Sequence, residues 1–163
     1  MESNARYHVV SFTYAVPTLL SAEILDFNRF KSDLLTLDNY VETAKDLYDT
    51  GGEADKCPSY MVIYDILRRI CKEQRSIIDN SVDRSVLSSA FGALPRLTDV
   101  GLSFCDAIEE DDWLLSSFAS DMVVAEESYE YHVRVVSDAI QSARHEGVAI
   151  HTIRLLGLGL PEC

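Results

Sequence analysis

The sequence predicts an α/β fold: a small sheet of about three strands, parallel or mixed, backed by long helices. Three observations point there. Leu94, Leu97, Val100, Leu102, Cys105 and Ile108 fall at the spacing L-x-x-L-x-x-V-x-L-x-x-C-x-x-I. The central offsets recur in Tyr7, Val10, Phe12 and Ala15, and again in Ile150, Ile153, Leu155 and Leu158. Long segments with helical apolar spacing separate the copies, which is how crossovers join parallel strands.

This spacing is that of a leucine-rich-repeat strand in its cysteine-containing form. Side chains alternate along a strand, so Val100 and Leu102 point inward while Gly101 and Ser103 face out, and the small thiol of Cys105 closes the turn. The intervals between copies are uneven and far longer than the roughly 20 to 29 residues of an ordinary repeat. Either the repeats carry large insertions or the outer matches are accidental. The expectation is a single irregular, repeat-like α/β domain over residues 1–163, complete or a piece of a longer receptor.

The first strand is expected from Tyr7 to Tyr14, stopped by Ala15-Val16-Pro17. Phe27, Phe30, Leu34, Leu37, Val41, Ala44 and Tyr48 then step by threes and fours, predicting a helix weakened by Thr36, Asn39 and Thr43. Thr50-Gly51-Gly52 ends it, and Gly51 to Cys57 reads as a loop. Ile63, Ile66, Leu67, Ile70, Gln74, Ile77 and Ile78 mark a second helix whose outer face carries Arg68, Arg69, Lys72, Glu73 and Arg75. That basic cluster reads as a solvated helix face, with a docking site for an acidic partner as the alternative. Asp83 can cap a third helix that buries Val86, Leu87, Ala90 and Leu94, and Pro95 stops it. The acidic run Glu109 to Asp112 before Trp113-Leu114-Leu115 suits a helix N-terminus. Tyr129, Val133, Val136, Ile140 and Ala143 predict the clearest helix, with Glu126, Glu127 and Glu130 early and Arg144 and His145 late, as the macrodipole favours. Gly147 ends that helix, and Val148 to Leu156 follows as a strand.

Composition bounds the function. A chain of 163 residues that is 47% apolar suits one core, burying roughly 70% of the unfolded surface. The net charge of −13 repels a phosphate backbone, so no nucleic-acid partner is expected. No apolar run approaches the roughly 20 residues needed to span a bilayer, and MESNARYHVV lacks the pattern of a signal peptide. No membrane partner and a cytoplasmic or nuclear location are expected. Cys57, Cys71, Cys105 and Cys163 form no C-x-x-C pair and have no His at ligand spacing, so neither zinc nor a disulfide framework is suggested.

Catalytic signals are sparse. The seven glycines form neither G-x-G-x-x-G nor G-x-x-x-x-G-K-[ST]. Leu156-Gly157-Leu158-Gly159-Leu160 runs into Pro161 with no helix to bind phosphate. His8, His132, His145 and His151 lack metal-binding neighbours, and His132 on the long helix suits a surface or hydrogen-bonded structural role better than that of a general base. No Ser sits in a G-x-S-x-G elbow. The expectation is a protein without enzymatic activity, cofactor or metal.

Tyr60 to Leu97, reading YMVIYDILRRICKEQRSIIDNSVDRSVLSSAFGALPRL, resembles the region after the F-box in filamentous-fungal F-box and leucine-rich-repeat-like proteins. There a Y-x-x-x-x-x-E-Q-x-x-I phrase leads through a second helix to A-L-x-x-L-P-x-L. Here Tyr60 or Tyr64, with Glu73-Gln74 and Ile77, approximates the first phrase at altered spacing. Phe91-Gly92-Ala93-Leu94-Pro95-Arg96-Leu97 approximates the second. Arg6 to Phe30, with HVVSFTY and LDFNRF, is similar to the opening strand and helix of the same region. The resemblance implies a substrate-recognition-like module. No segment matches the F-box and its L-P-x-E-like opening, so a Skp-type adaptor is not expected to bind.

The combined reading is a protein-interaction module that meets a protein partner through its exposed strand face. That face is expected to comprise Ser11 and Thr13, then Asp99, Gly101, Ser103 and Phe104, then His151, Thr152, Arg154 and Leu156, with Phe104 and Leu156 as anchors. The alternatives are a small-molecule binder or enzyme using a crevice at the strand ends near Cys105, Asp106 and His151, or a truncated relative with no retained function.

Overall fold

A computed structural model describes residues 4–49, 57–105 and 117–157. Its strands are β1 (Ser11–Pro17), β2 (Asp99–Cys105) and β3 (Thr152–Leu156), and its longer helices are α1 (Leu37–Asp49), α2 (Tyr60–Asp79), α3 (Val82–Gly92) and α4 (Ala125–His145). The chain divides into two compact units: Met1–Thr18, Ile77–Asp106 and Glu126–Cys163 form one, Leu19–Ser76 and Ala107–Ala125 the other. The sequence suggested one core; each unit has its own cluster of buried side chains. No helix among the described residues is long and apolar enough to cross a membrane.

The first unit is an α/β body built on a fully parallel sheet in the order β1-β2-β3. Sequence neighbours are spatial neighbours, and α4 lies in the connection between β2 and β3. Val100 and Leu102 are buried on the central strand, as their alternation requires, and they join Leu87 and Phe91 of α3 with Val135, Val136, Ala139, Ile140 and Ala143 of α4. Each of the larger side chains, the valines, leucines, isoleucine and phenylalanine, contributes about 1.5–3 kcal/mol on removal from water.

The register tests the repeat spacing strand by strand. Ile153 and Leu155 pair with Val100 and Leu102, as the sequence offsets require. In β1, however, Phe12 pairs with Val100 and Tyr14 with Leu102. The copy beginning at Tyr7 is therefore displaced by two residues, which preserves the face but moves the strand. Tyr7 instead ends a 3-10 turn, Asn4–Tyr7, and the strand continues through Ala15 and Val16 to Pro17. Tyr7 and Val10 are exposed.

Two helix ends explain local geometry. Gly147, at φ +93°, takes a left-handed conformation after α4. Its N–H donates to the Arg144 carbonyl while the Val148 N–H reaches back to the Ala143 carbonyl, forming a Schellman cap. The Arg144 guanidinium then donates twice to the Ile150 carbonyl and fixes the entry to β3. At the start of α3, Ser81 adopts φ 51° and precedes the first turn. Asp83 lies inside the helix and accepts from the Arg84 N–H, so it is not the cap expected from sequence. Val86, expected inside, is 59% exposed; Leu87 and Phe91 form the buried side.

The second unit is helical. The segment expected as one helix from Phe27 is interrupted: an α-turn Phe27–Arg29 passes into a π-turn Phe30–Leu34, and α1 begins afresh at Leu37. Leu35 leaves helical geometry at φ −135°, and the Thr36 hydroxyl accepts from the Asn39 N–H as a cap does. Buried Phe30 packs against Tyr60 and Tyr64, while Tyr40 stacks on Phe118. The basic residues of α2 are partly committed: Arg75 donates to the Leu20 carbonyl, and Arg69 pairs with Glu73. Cys57 and Cys71 are free thiols, and buried Cys71 lies 3.5 Å from the Ser21 carbonyl. The expected loop from Gly51 and the acidic run at Glu109 with Trp113 lie outside the described residues, except for Cys57.

Candidate functional site

The face of the sheet opposite the helices is a grid fixed by the parallel register. Ser11, Asp99 and Thr152 form one row, Thr13, Gly101 and Arg154 the next, and Ala15, Ser103 and Leu156 the third. Paired residues of neighbouring strands share a face, so eight of the predicted residues come together here. On β1 and β3 these residues are exposed, while Asp99 and Ser103 on the central strand are half-buried. Ala15 belongs to the same face; ending the first strand at Tyr14 concealed it.

Gly101 is buried at the centre of the grid and forms its floor. A Cβ there would lie 3.2 Å from Thr13 Oγ1 and 3.7 Å from Leu156 Cδ1, so flanking side chains already occupy its surroundings. Arg154 spans the central strand, its Nη2 donating to Ser11 Oγ at 3.0 Å. A larger residue at 101 would stand in this path. The guanidinium thus rests over the sheet against a neutral acceptor.

A backbone clamp sets the strand starts. The Val10 carbonyl accepts from the Thr98 and Asp99 N–H groups, and the Thr98 carbonyl accepts from those of His151 and Thr152. The Thr98 hydroxyl lies 2.8 Å from Asp99 Oδ2 and 3.1 Å from the Val10 carbonyl. His151 is exposed just ahead of β3, out of phase with Thr152, Arg154 and Leu156, so it is not part of the grid expected to include it.

Phe104 must be moved to the other face. It pairs with Val16 and alternates with Val100 and Leu102, and its ring lies 5.5 Å from that of Tyr129 on α4. It is therefore a packing residue and not an outward anchor. Leu156 keeps its place on the open face at 44% exposure.

The crevice proposed near Cys105, Asp106 and His151 does not assemble from the described positions. Asp99 at the start of β2 pairs with Thr152, so His151 lies by the strand starts while Cys105 ends β2. That separation is about 20 Å along the strand, at roughly 3.3 Å per residue. Asp106 lies outside the described residues, as do Ile108 and Leu158 of the repeat spacing. Among the described residues no cluster of three His, Cys, Asp or Glu side chains could hold a metal ion.

A second polar cluster lies on the helix-packed side. His132 is only 3% exposed, and neither ring nitrogen has a hydrogen-bond partner among the described residues. Tyr14 and Tyr131 present their rings edgewise to it at 5.9 and 5.1 Å. The Tyr131 hydroxyl sits 2.9 and 2.8 Å from the two oxygens of Asp83 and donates its proton to that carboxylate. Burial holds the His132 pKa below its ordinary value, outweighing the Asp83 carboxylate and the more weakly acting Pro17 carbonyl, which favour the imidazolium. Burial, then Asp83, pushes the Tyr14 phenol up to about 12, and burial with the Asp83 hydrogen bond raises Tyr131. Both phenols are neutral near pH 7. His132 is thus a buried structural residue of the core and does not occupy the surface, one of the two positions expected for it.

Comparison with known proteins adds no relatives: no family model, curated protein or solved structure matches the chain.

Proposed function

We propose that the sheet-bearing unit is a protein-recognition module without catalytic activity, and that its contact surface is the open grid of β1, β2 and β3. The observation that carries this reading is the asymmetry of the sheet. One face is packed under α3 and α4, whereas the other presents hydroxyls, one guanidinium and one leucine to solvent over a buried glycine floor. A flat, stiff surface of this kind suits recognition, because little side-chain entropy is lost on the small residues when a partner docks. Arg154 and Leu156 replace Phe104 as the anchors, with Ser11, Thr13, Ala15, Asp99, Ser103 and Thr152 around them. The spacing shared by β2 and β3 supports a leucine-rich-repeat-like architecture, and with it a kinship to fungal F-box and leucine-rich-repeat-like receptors. The reading includes no adaptor binding, and it puts the module in the cytoplasm or nucleus.

The test is capture of binding proteins from lysate of cells that express the chain, comparing the wild type with Thr13→Arg and Ala15→Arg. Both positions are exposed on β1, so folding should survive and circular dichroism should be unchanged. Proteins retained by the wild type are expected to fall at least about tenfold with either variant, equivalent to roughly 1.4 kcal/mol. Equal retention by all three proteins contradicts the proposed surface.

A further inference from the structure

The two edges of the sheet are unequal. On β1 the helix-facing side chains are covered, with Val16 only 1% exposed and Phe12 and Tyr14 half-buried. On β2 the corresponding Val100 and Leu102 are 0% and 1% exposed. On β3 the same two rows continue as Ile153 and Leu155, yet these are 48% and 40% exposed. The apolar pattern of the core therefore extends onto an edge that no other strand pairs with among the described residues.

Among the described residues β3 pairs only with β2, so its outer backbone edge meets no other strand. Thr152 to Leu156 contains no proline and no lysine, so a single charged side chain is what guards this short edge. Arg154 is its one charge. That guanidinium contacts a serine hydroxyl and no carboxylate among the described residues, in a chain of net charge −13.

We infer that the outer edge of β3 takes up an extended segment of a partner protein as a fourth strand, and that this segment reads apolar–acidic–apolar. Its acidic side chain lies on the open face in the row of Arg154, whose exposed guanidinium turns from Ser11 to meet it, and its apolar neighbours cover Ile153 and Leu155 on the other. Main-chain hydrogen bonds supply affinity in such strand addition, while alternate side chains supply selectivity. An opposite-charge cross-strand pair adds to it, and a like-charge pair opposes it. The same chemistry disfavours a second copy of this chain: antiparallel self-pairing centred on Arg154 would oppose two guanidiniums. The inference rests on reading the sheet as a binding surface but concerns its edge, not its grid.

The probe is a synthetic octapeptide alternating valine and threonine with glutamate at a central threonine position, compared with the same peptide carrying lysine. Binding to the full chain is read by fluorescence anisotropy and by amide exchange. The glutamate peptide is expected to bind at least tenfold tighter than the lysine peptide, with new protection on 152–156, and Arg154→Glu is expected to reverse the preference. Binding of neither peptide at millimolar concentration, equal binding of both, or protection elsewhere than β3 overturns the inference. Dimerisation of the wild-type chain that protects β3 also overturns it, by making a second copy the occupant. Lysate capture with Ala15→Arg reports on the grid, while peptide-induced protection of 152–156 reports on the edge, so failure of the grid and failure of the edge are separable.

Discussion

Replacing Phe91 with alanine is expected to destabilise the sheet-bearing unit by about 3–5 kcal/mol. Phe91 is 0% exposed on α3, and its ring meets Phe12 of β1 edge-on at 5.4 Å. It joins the cluster formed by Val100 and Leu102 on β2 and by Val136 and Ile140 on α4. Truncation forfeits the transfer energy of the ring and leaves a cavity between elements that cannot collapse freely onto it. Folded domains retain only about 5–15 kcal/mol, so this loss is a large fraction of the total. Val86, on the same helix, is 59% exposed, and Val86→Ala should change stability by no more than about 0.5 kcal/mol. Urea unfolding followed by far-UV circular dichroism measures both. A Phe91→Ala midpoint no lower than that of Val86→Ala would mean that α3 does not cover the sheet as described.

Acidification is the second large perturbation, and it acts through His132. The imidazole is buried between Tyr14 and Tyr131, with the Asp83 carboxylate and the Pro17 carbonyl as the groups favouring its charge, and burial prevails. Its pKa in the folded chain is thus below its unfolded value of about 6.5. The unfolded chain takes up the proton first. Stability from this residue is therefore fully present above about pH 6.5 and is lost as pH falls toward the folded pKa, at up to about 1.4 kcal/mol per pH unit. The many carboxylates shift with pH as well, so the contribution of His132 is the difference from a variant. His132→Leu removes the titrating group at little cost in hydrogen bonding, since among the described residues the ring nitrogens make no close hydrogen bond and the Pro17 carbonyl acts on them only weakly. The stability difference between variant and wild type is expected to be constant from pH 8 to 7 and to move in favour of the variant below 6.5. A difference independent of pH down to 5 would contradict the buried, neutral state of this imidazole.

What could be read from sequence depended on how many physical constraints each segment carried. For β2, alternation, a flanking proline and the Leu94–Leu97 approach agreed, and the inward positions of Val100 and Leu102 followed. For α4, the apolar stripe, the charge at each end and Gly147 all agreed. β1 was ambiguous because Tyr7, Val10 and Phe12 fit the spacing as well as the true strand does, and only cross-strand hydrogen bonds decide between registers two residues apart. Phe104 was misplaced although the signal was present: counting two from Leu102 puts it inward. The helix from Phe27 broke because Thr36 can cap a new start, which competes with continuing the stripe. His132 could have been placed inside by the same reasoning that placed Val136, since Ser128, His132, Val135 and Ala139 share one buried face of α4. The open grid was largely legible because its small polar residues alternate with core positions. Its centre was not, because the crossing of Arg154 over Gly101 to Ser11 joins residues 143 apart in sequence.

The central claim, that the open grid meets a protein partner, is tested most directly by photocrosslinking inside cells that express the chain. A benzophenone amino acid is placed at Thr13, on the grid, and separately at Val86, exposed on α3. The account predicts a discrete adduct with another protein from Thr13 and none from Val86. Adducts from Val86 with Thr13 silent, or silence at both positions, would contradict it.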